Sequence, residues 1–114
     1  MKLIISRHGQ ASFNASSDRE RPLTSAGIEQ TKRLLNKNFA DFNAVDTIWS
    51  SDLKRAKQTA SIYAQQLNLD IQEQVFLTPD DEPKTVLRHL QGLNVDSVLL
   101  IVSHQPLVGE LVSL

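Results

Sequence analysis

Ser97-Val98-Leu99-Leu100-Ile101-Val102-Ser103-His104 is the stretch that decides the fold. Its unbroken apolar run, rich in β-branched residues, is the pattern of a central strand covered on both faces. It ends abruptly in Ser103-His104-Gln105-Pro106. Pro106 suits the first turn of a helix, and Leu107, Val108, Leu111, Val112 and Leu114 supply that helix with an apolar face. Upstream, the loop Leu77-Thr78-Pro79-Asp80-Asp81-Glu82-Pro83 leads into another helix, carrying Val86, Leu87, Leu90 and Leu93.

The same alternation extends back to the N-terminus. Leu3-Ile4-Ile5 predicts a first strand, Asp46-Thr47-Ile48-Trp49-Ser50 a second, and Ile71–Phe76 an edge-like third. Between the first two, Thr24 or Ser25 can cap a helix on which Ile28, Leu35, Phe39 and Phe42 form one stripe. Gly27 weakens that helix by roughly 1 kcal/mol relative to Ala, so a close approach is expected there. Ser51 is a natural N-cap for the next helix, where Leu53, Ala56, Ala60, Tyr63 and Leu67 step by three and four. The order βαβαβαβα implies an α/β fold: an open, mostly parallel sheet with helices on both faces, in three layers.

Composition narrows the function. The chain has 114 residues, 40% of them apolar and 22% charged, with a net charge of −1. That suits one domain over 1–114 and lacks the basic excess of a nucleic-acid binder. Cys is absent, which excludes disulfides and thiolate metal sites. The N-terminal apolar stretch is too short for a signal peptide or a membrane span, so a cytoplasmic protein is expected. The chain stops on Leu114 without a helix cap or following strand, which predicts that the natural polypeptide continues.

In a sheet of this kind ligands bind beyond the carboxyl ends of the strands. Arg7 and His8 follow the first strand, Ser51 and Arg55 the second, and His104 the central one. Arg55 also falls in the first turn of its helix, where the exposed N–H groups favour an anion and disfavour a cation. It therefore either points to solvent or shares the place with an anion. Two histidines and two arginines, without cysteines or a carboxylate cluster, suit a doubly charged oxyanion better than a metal, because guanidinium pairs bidentately with phosphate. No metal or other cofactor is expected. A neutral imidazole can attack phosphorus, and nearby guanidinium groups keep it neutral. The polar loop 10–23 is long enough to be functional, and Gly9 permits a turn or a close approach to a ligand.

Arg7-His8-Gly9, Ser51-Asp52-Leu53-x-Arg55-Ala56-x-Gln58-Thr59-Ala60 and Ser103-His104 resemble the signatures of the histidine phosphatase superfamily, with its phosphoglycerate mutase-like fold. Asp18-x-x-Arg21-Pro22-Leu23-Thr24 and Val102-Ser103-His104-x-Pro106-Leu107-Val108-Gly109 are similar to the bacterial SixA-type phosphohistidine phosphatases. The resemblance runs from residue 1 to 114. It implies His8 as the phosphorylated nucleophile, Arg7 and Arg55 as phosphate ligands, and His104 as the second histidine that stabilises phosphoryl transfer. It also implies Asn14 as a phosphate contact. Gln10 stands where many members carry an acid, and no role attaches to it. Members usually continue with further strands, in keeping with a chain that goes on.

Many relatives use an acid after the third strand to protonate the leaving group. Asp80, Asp81 and Glu82 are the candidates, and none sits in a recognisable motif. A missing acid favours phosphohistidine, whose imidazole leaves easily, over a phosphate ester. The expected partner is thus a phosphorylated histidine-containing protein of a phosphorelay or phosphotransfer system, with neither nucleic acid nor membrane involved. Two alternatives are a small-molecule phosphomonoesterase of the same superfamily and an inactive phosphate-binding or interaction module. His89 reads as a surface histidine and Trp49 as core.

Overall fold

A computed structural model describes residues 1–112. Four strands, β1 (Lys2–Arg7), β2 (Thr47–Ser51), β3 (Ile71–Gln74) and β4 (Val98–Ser103), form one parallel sheet in the order β1-β4-β2-β3. The run that decided the fold is indeed central: β4 lies between β1 and β2, and Leu99 to Val102 are fully buried. Its side chains alternate, as strand geometry requires. Leu100 and Val102 join Ile48 and Tyr63 in the core on one face, while Leu99 and Ile101 join Trp49, Val86 and Leu107 on the other.

Helices α1 (Ser25–Lys37), α2 (Phe39–Phe42) and α3 (Lys54–Leu67) supply the first of these cores, and α4 (Pro83–Leu90) and α5 (Leu107–Val112) the second. The fold is the three-layer α/β/α arrangement expected. Ala56 and Ala60 have no exposed surface, so α3 lies tight against the sheet. Trp49 is core, edge-on to Phe76 with ring centroids 5.6 Å apart. No described helix is long and apolar enough to cross a membrane.

Several local expectations change. The helix after loop 10–23 ends at Lys37, and its buried face is Gly27, Thr31 and Leu35, with Ile28 and Phe39 exposed. A break at Asn38 rotates Phe42 into the core on the separate α2, so Ile28, Leu35, Phe39 and Phe42 do not form one face. Strand β3 stops at Gln74, and Val75–Leu77 turn in a short 3-10 helix that buries Phe76 and Leu77. Helix α4 ends at Leu90, leaving Leu87 exposed and Leu93 beyond it, packed on the core. Ser51 is the last residue of β2 and not an N-cap; Leu53 holds that position for α3. Pro106 stands just ahead of α5, and its carbonyl accepts from the Glu110 amide at 3.0 Å. Leu114 lies outside the described residues.

Thr24 caps α1 as expected, its side chain accepting from the Gly27 amide at 3.0 Å. The close approach expected at Gly27 is also there. A Cβ on Gly27 would lie 2.2 Å from the Gln10 carbonyl oxygen, and one on Gly9 would lie 2.7 Å from the Gly27 carbonyl oxygen. The loop after β1 therefore rests directly on the first turn of α1. What Gly9 approaches is this helix.

Candidate active site

The sheet aligns Arg7 at the end of β1 with Ser103 at the end of β4, and Ser50 of β2 with Val102. Three adjacent strands thus deliver their following residues to one rim. His8 is half-buried and His104 almost wholly buried, and their ring centroids lie 4.9 Å apart at 59°. The His8 amide donates to the Ser103 carbonyl at 3.0 Å, tying the two strand ends together.

His8 Nδ1 lies 2.6 Å from the Gly9 carbonyl oxygen. A carbonyl can only accept, so Nδ1 carries the proton and Nε2 keeps its lone pair. Its pKa is lowered first by burial, against the hydrogen bond to Gly9, and then by Arg55, Arg7 and Arg21. The guanidinium groups expected to do this are secondary to desolvation. Burial likewise pushes His104 down to about 3, helped by His8 and Arg55. Both rings are neutral at pH 7, and His8 lines an open cleft.

Arg55 is 5% exposed. Its guanidinium donates to the Asp18 carbonyl at 2.8 Å and to the Asp18 carboxylate at 3.4 Å. Of the two places open to it, Arg55 takes the one shared with an anion, and here the anion is a side chain of the protein. Arg7 is exposed and, with His8, Gly9 and Arg21, lines an open cleft. Asn14 is exposed; its backbone N–H donates to Ser12 Oγ at 3.0 Å, and its side chain makes no hydrogen bond to His8, Arg55 or His104.

The motif around Arg55 has a physical reading residue by residue. Thr59 Oγ1 accepts from the Gly9 amide at 3.1 Å and donates to the Arg55 carbonyl at 2.9 Å, which anchors the His8 loop to α3. Gln58 Oε1 accepts from the Leu23 amide at 2.7 Å, and Asp52 accepts from Arg19 at 2.7 Å. Together they clamp loop 10–23, with its 3-10 turn at Asp18–Glu20, over the site.

In sequence Arg21 stands out only as part of Asp18-x-x-Arg21-Pro22-Leu23-Thr24. It donates to the carbonyls of Ser12 and Ala11 and to Asp18, and its guanidinium lies 4.0 Å over the Phe13 ring. Nothing in its spacing announced these contacts; they follow from the antiparallel bridge of Ala11 to Leu23, which folds the loop back on itself.

Of the candidate acids, Asp81 is occupied. Its carboxylate accepts from the Thr78 amide at 2.8 Å and the Thr78 hydroxyl at 2.6 Å, a bond pattern that shapes the loop. Asp80 and Glu82 are exposed, Glu82 at the N-cap of α4. His89 is exposed as expected, with its ring stacked on Phe76 at 3.8 Å.

Residues 3–78 match the Histidine phosphatase superfamily (branch 1). The chain belongs to the histidine phosphatase superfamily, among its SixA-type members. It is 35% identical over 117 residues to the phosphohistidine phosphatase SixA of Escherichia coli (strain K12), covering 99% of this chain and 73% of that protein. It is 33% identical over 124 residues to the phosphohistidine phosphatase SixA homolog of Haemophilus influenzae, covering 99% of this chain and 76% of that one. Among solved structures, the protein histidine phosphatase SixA complexed with tungstate superimposes with a TM-score of 0.91 at 33% identity, covering 99% of this chain and 75% of that one.

Proposed function

We propose that this protein is a phosphohistidine phosphatase that removes phosphate from a histidine-phosphorylated protein of a phosphorelay or phosphotransfer system in the cytoplasm. The observation that carries the reading is the His8 ring: Nδ1 is held by the Gly9 carbonyl, Nε2 has no hydrogen-bond partner among the described residues, and His104 stands 4.9 Å away.

His8 Nε2 attacks phosphorus, forming a new N–P bond as the N–P bond of the substrate breaks and its imidazole, protonated on its other ring nitrogen, leaves neutral with the electron pair. Water then attacks phospho-His8, a P–O bond forms, and His8 departs neutral with inorganic phosphate as product. Arg7 and Arg55 hold the phosphoryl oxygens, and His104 donates to one of them as charge spreads in the transition state. For Arg55 this means releasing the Asp18 carboxylate in favour of the phosphate. Asn14 enters through the family resemblance alone.

Asp81 is engaged by Thr78, and Asp80 and Glu82 are exposed and make no hydrogen bond to His8 or His104. A site without a committed proton donor supports an imidazole leaving group over an alcohol. The half-buried His8, on an open cleft, is accessible to a side chain presented on another protein's surface.

The test compares turnover of a phosphohistidine protein with that of a panel of phosphate esters. Faster hydrolysis of the phosphoprotein is expected, whereas a strong preference for esters would make the protein a phosphomonoesterase. In parallel, His8→Ala should lose both turnover and trapping of labelled phosphate; a fully active His8→Ala protein rejects the mechanism.

A further inference from the structure

His104 has two ring nitrogens in different circumstances. Nε2 lies 2.7 Å from Ser51 Oγ, and Nδ1 is buried with no partner among the described residues. Ser51 itself has no exposed surface. Its hydroxyl oxygen has a second neighbour, the Leu53 amide, which donates to it at 3.3 Å.

These contacts fix the proton. A hydroxyl has one hydrogen to give and two lone pairs to receive with. The Leu53 amide can only donate, so it occupies one lone pair. If His104 carried its proton on Nε2, Ser51 would accept from it as well, and the buried hydroxyl hydrogen would have no acceptor. Nδ1 would then present a bare lone pair, which repels an oxyanion. With the proton on Nδ1, Ser51 donates to Nε2 and every polar atom of the pair is satisfied except Nδ1–H. That remaining donor is the ring's one unspent polar group, and the ring centroid lies 4.9 Å from that of His8, tilted at 59°.

We propose that Ser51 is a positioning residue that locks His104 as the Nδ1–H tautomer, so that a neutral, buried N–H donor faces the phosphoryl group. This deepens the phosphatase reading and rests on it for its catalytic meaning. Ser51 never touches substrate. It acts by setting which nitrogen of His104 holds the hydrogen and by fixing the ring plane. Its place at the end of β2, one residue past the Ser50–Val102 pair, is what brings it under the residue after β4. The sequence suggests a helix cap for this serine; the structure assigns its hydroxyl to the histidine.

The test is nitrogen-resolved NMR on the whole chain with 15N-labelled histidine at pH 7, alone and with vanadate. The wild-type protein should show His104 with a protonated Nδ1 and a pyridine-like Nε2, and vanadate should shift the Nδ1–H signal. A protonated Nε2 in the wild-type protein overturns the proposal whatever the activity. Ser51→Ala should mix the two tautomers and lower kcat by up to about 100-fold, the scale of losing one transition-state donor, with KM nearly unchanged. Ser51→Thr, which keeps the hydroxyl, should retain the Nδ1–H signal and most of kcat. A Ser51→Ala protein that is folded, Nδ1-protonated and fully active also overturns it. Because the NMR signal needs no turnover, absence of phosphatase activity would reject the function while leaving the tautomer to be decided separately.

Discussion

His8 and His104 follow different strands, yet their rings lie 4.9 Å apart, because β1 and β4 are hydrogen-bonded neighbours whose last residues, Arg7 and Ser103, pair in register. In the proposed mechanism the two rings divide one task, with an accessible lone pair on His8 and a buried ring beside it. Replacing His104 with Ala should therefore slow phosphoryl transfer by about 100- to 1,000-fold while leaving His8 still able to become labelled. Rapid-quench measurement of phospho-His8 formation checks this. A transfer rate equal to wild type would remove His104 from the site's chemistry.

Both rings also set a pH dependence. The folded-state pKa of His104 is about 3 and that of His8 is below the ordinary 6.5, chiefly through burial. In the unfolded chain both protonate near pH 6.5. Between those values the unfolded state binds more protons, so stability is fully present above pH 6.5 and falls as pH drops toward 3. Keeping His104 neutral costs up to about 1.4 kcal/mol per pH unit in that window, and His8 acts in the same direction. His104→Gln should lose about 2 kcal/mol less than wild type between pH 6.5 and 5, measured by urea unfolding. Equal slopes would show that His104 titrates normally. For the same reason the acid limb of kcat/KM belongs below pH 6.5.

The placement of this pair was legible because strand ends can be read from apolar runs. Leu3-Ile4-Ile5 and Val98–Val102 each stop at a histidine-bearing turn, and parallel topology does the rest. What lay beyond reach were contacts made by loops and by hydroxyls. The Ser51 hydroxyl fits a helix cap and a histidine partner equally well in sequence, and only the neighbouring β4 decides between them. Phe39 kept the helical spacing but missed the core because α1 breaks at Asn38, where the chain has no Gly or Pro to mark it. Asp18 and Arg21 could not be joined to Arg55 without knowing that Ala11 bridges Leu23.

Asp18 holds the Arg55 guanidinium that the proposed mechanism assigns to the phosphate, and Arg21 is its principal partner, keeping the Asp18 carboxyl below its usual range. The carboxylate is an internal competitor. Asp18→Asn should bind vanadate a few-fold more tightly, since the amide cannot oppose a dianion, and titration of inhibition against vanadate reads this directly. Weaker binding would mean that Asp18 serves to orient Arg55. Arg55→Lys should weaken vanadate in either case, because an ammonium lacks the planar fork that meets two oxygens at once.

Gly27 sets helix propensity against packing. Within α1, Gly→Ala favours the helix by roughly 1 kcal/mol. The added Cβ, however, would lie 2.2 Å from the Gln10 carbonyl oxygen and 2.8 Å from its nitrogen, and both neighbours are backbone that cannot rotate away. Helix and loop must separate, at a cost on the order of 1–3 kcal/mol for overpacking, so Gly27→Ala should destabilise despite the better helix former. The loop it displaces begins at His8 and is tied to Thr59 through the Gly9 amide. Thermal unfolding should show a lower Tm, and kcat should fall with it, because His8, the proposed nucleophile, moves when its loop does. A Gly27→Ala protein with raised Tm and unchanged kcat would mean that the Gln10 loop yields freely and that His8 is positioned by β1 alone.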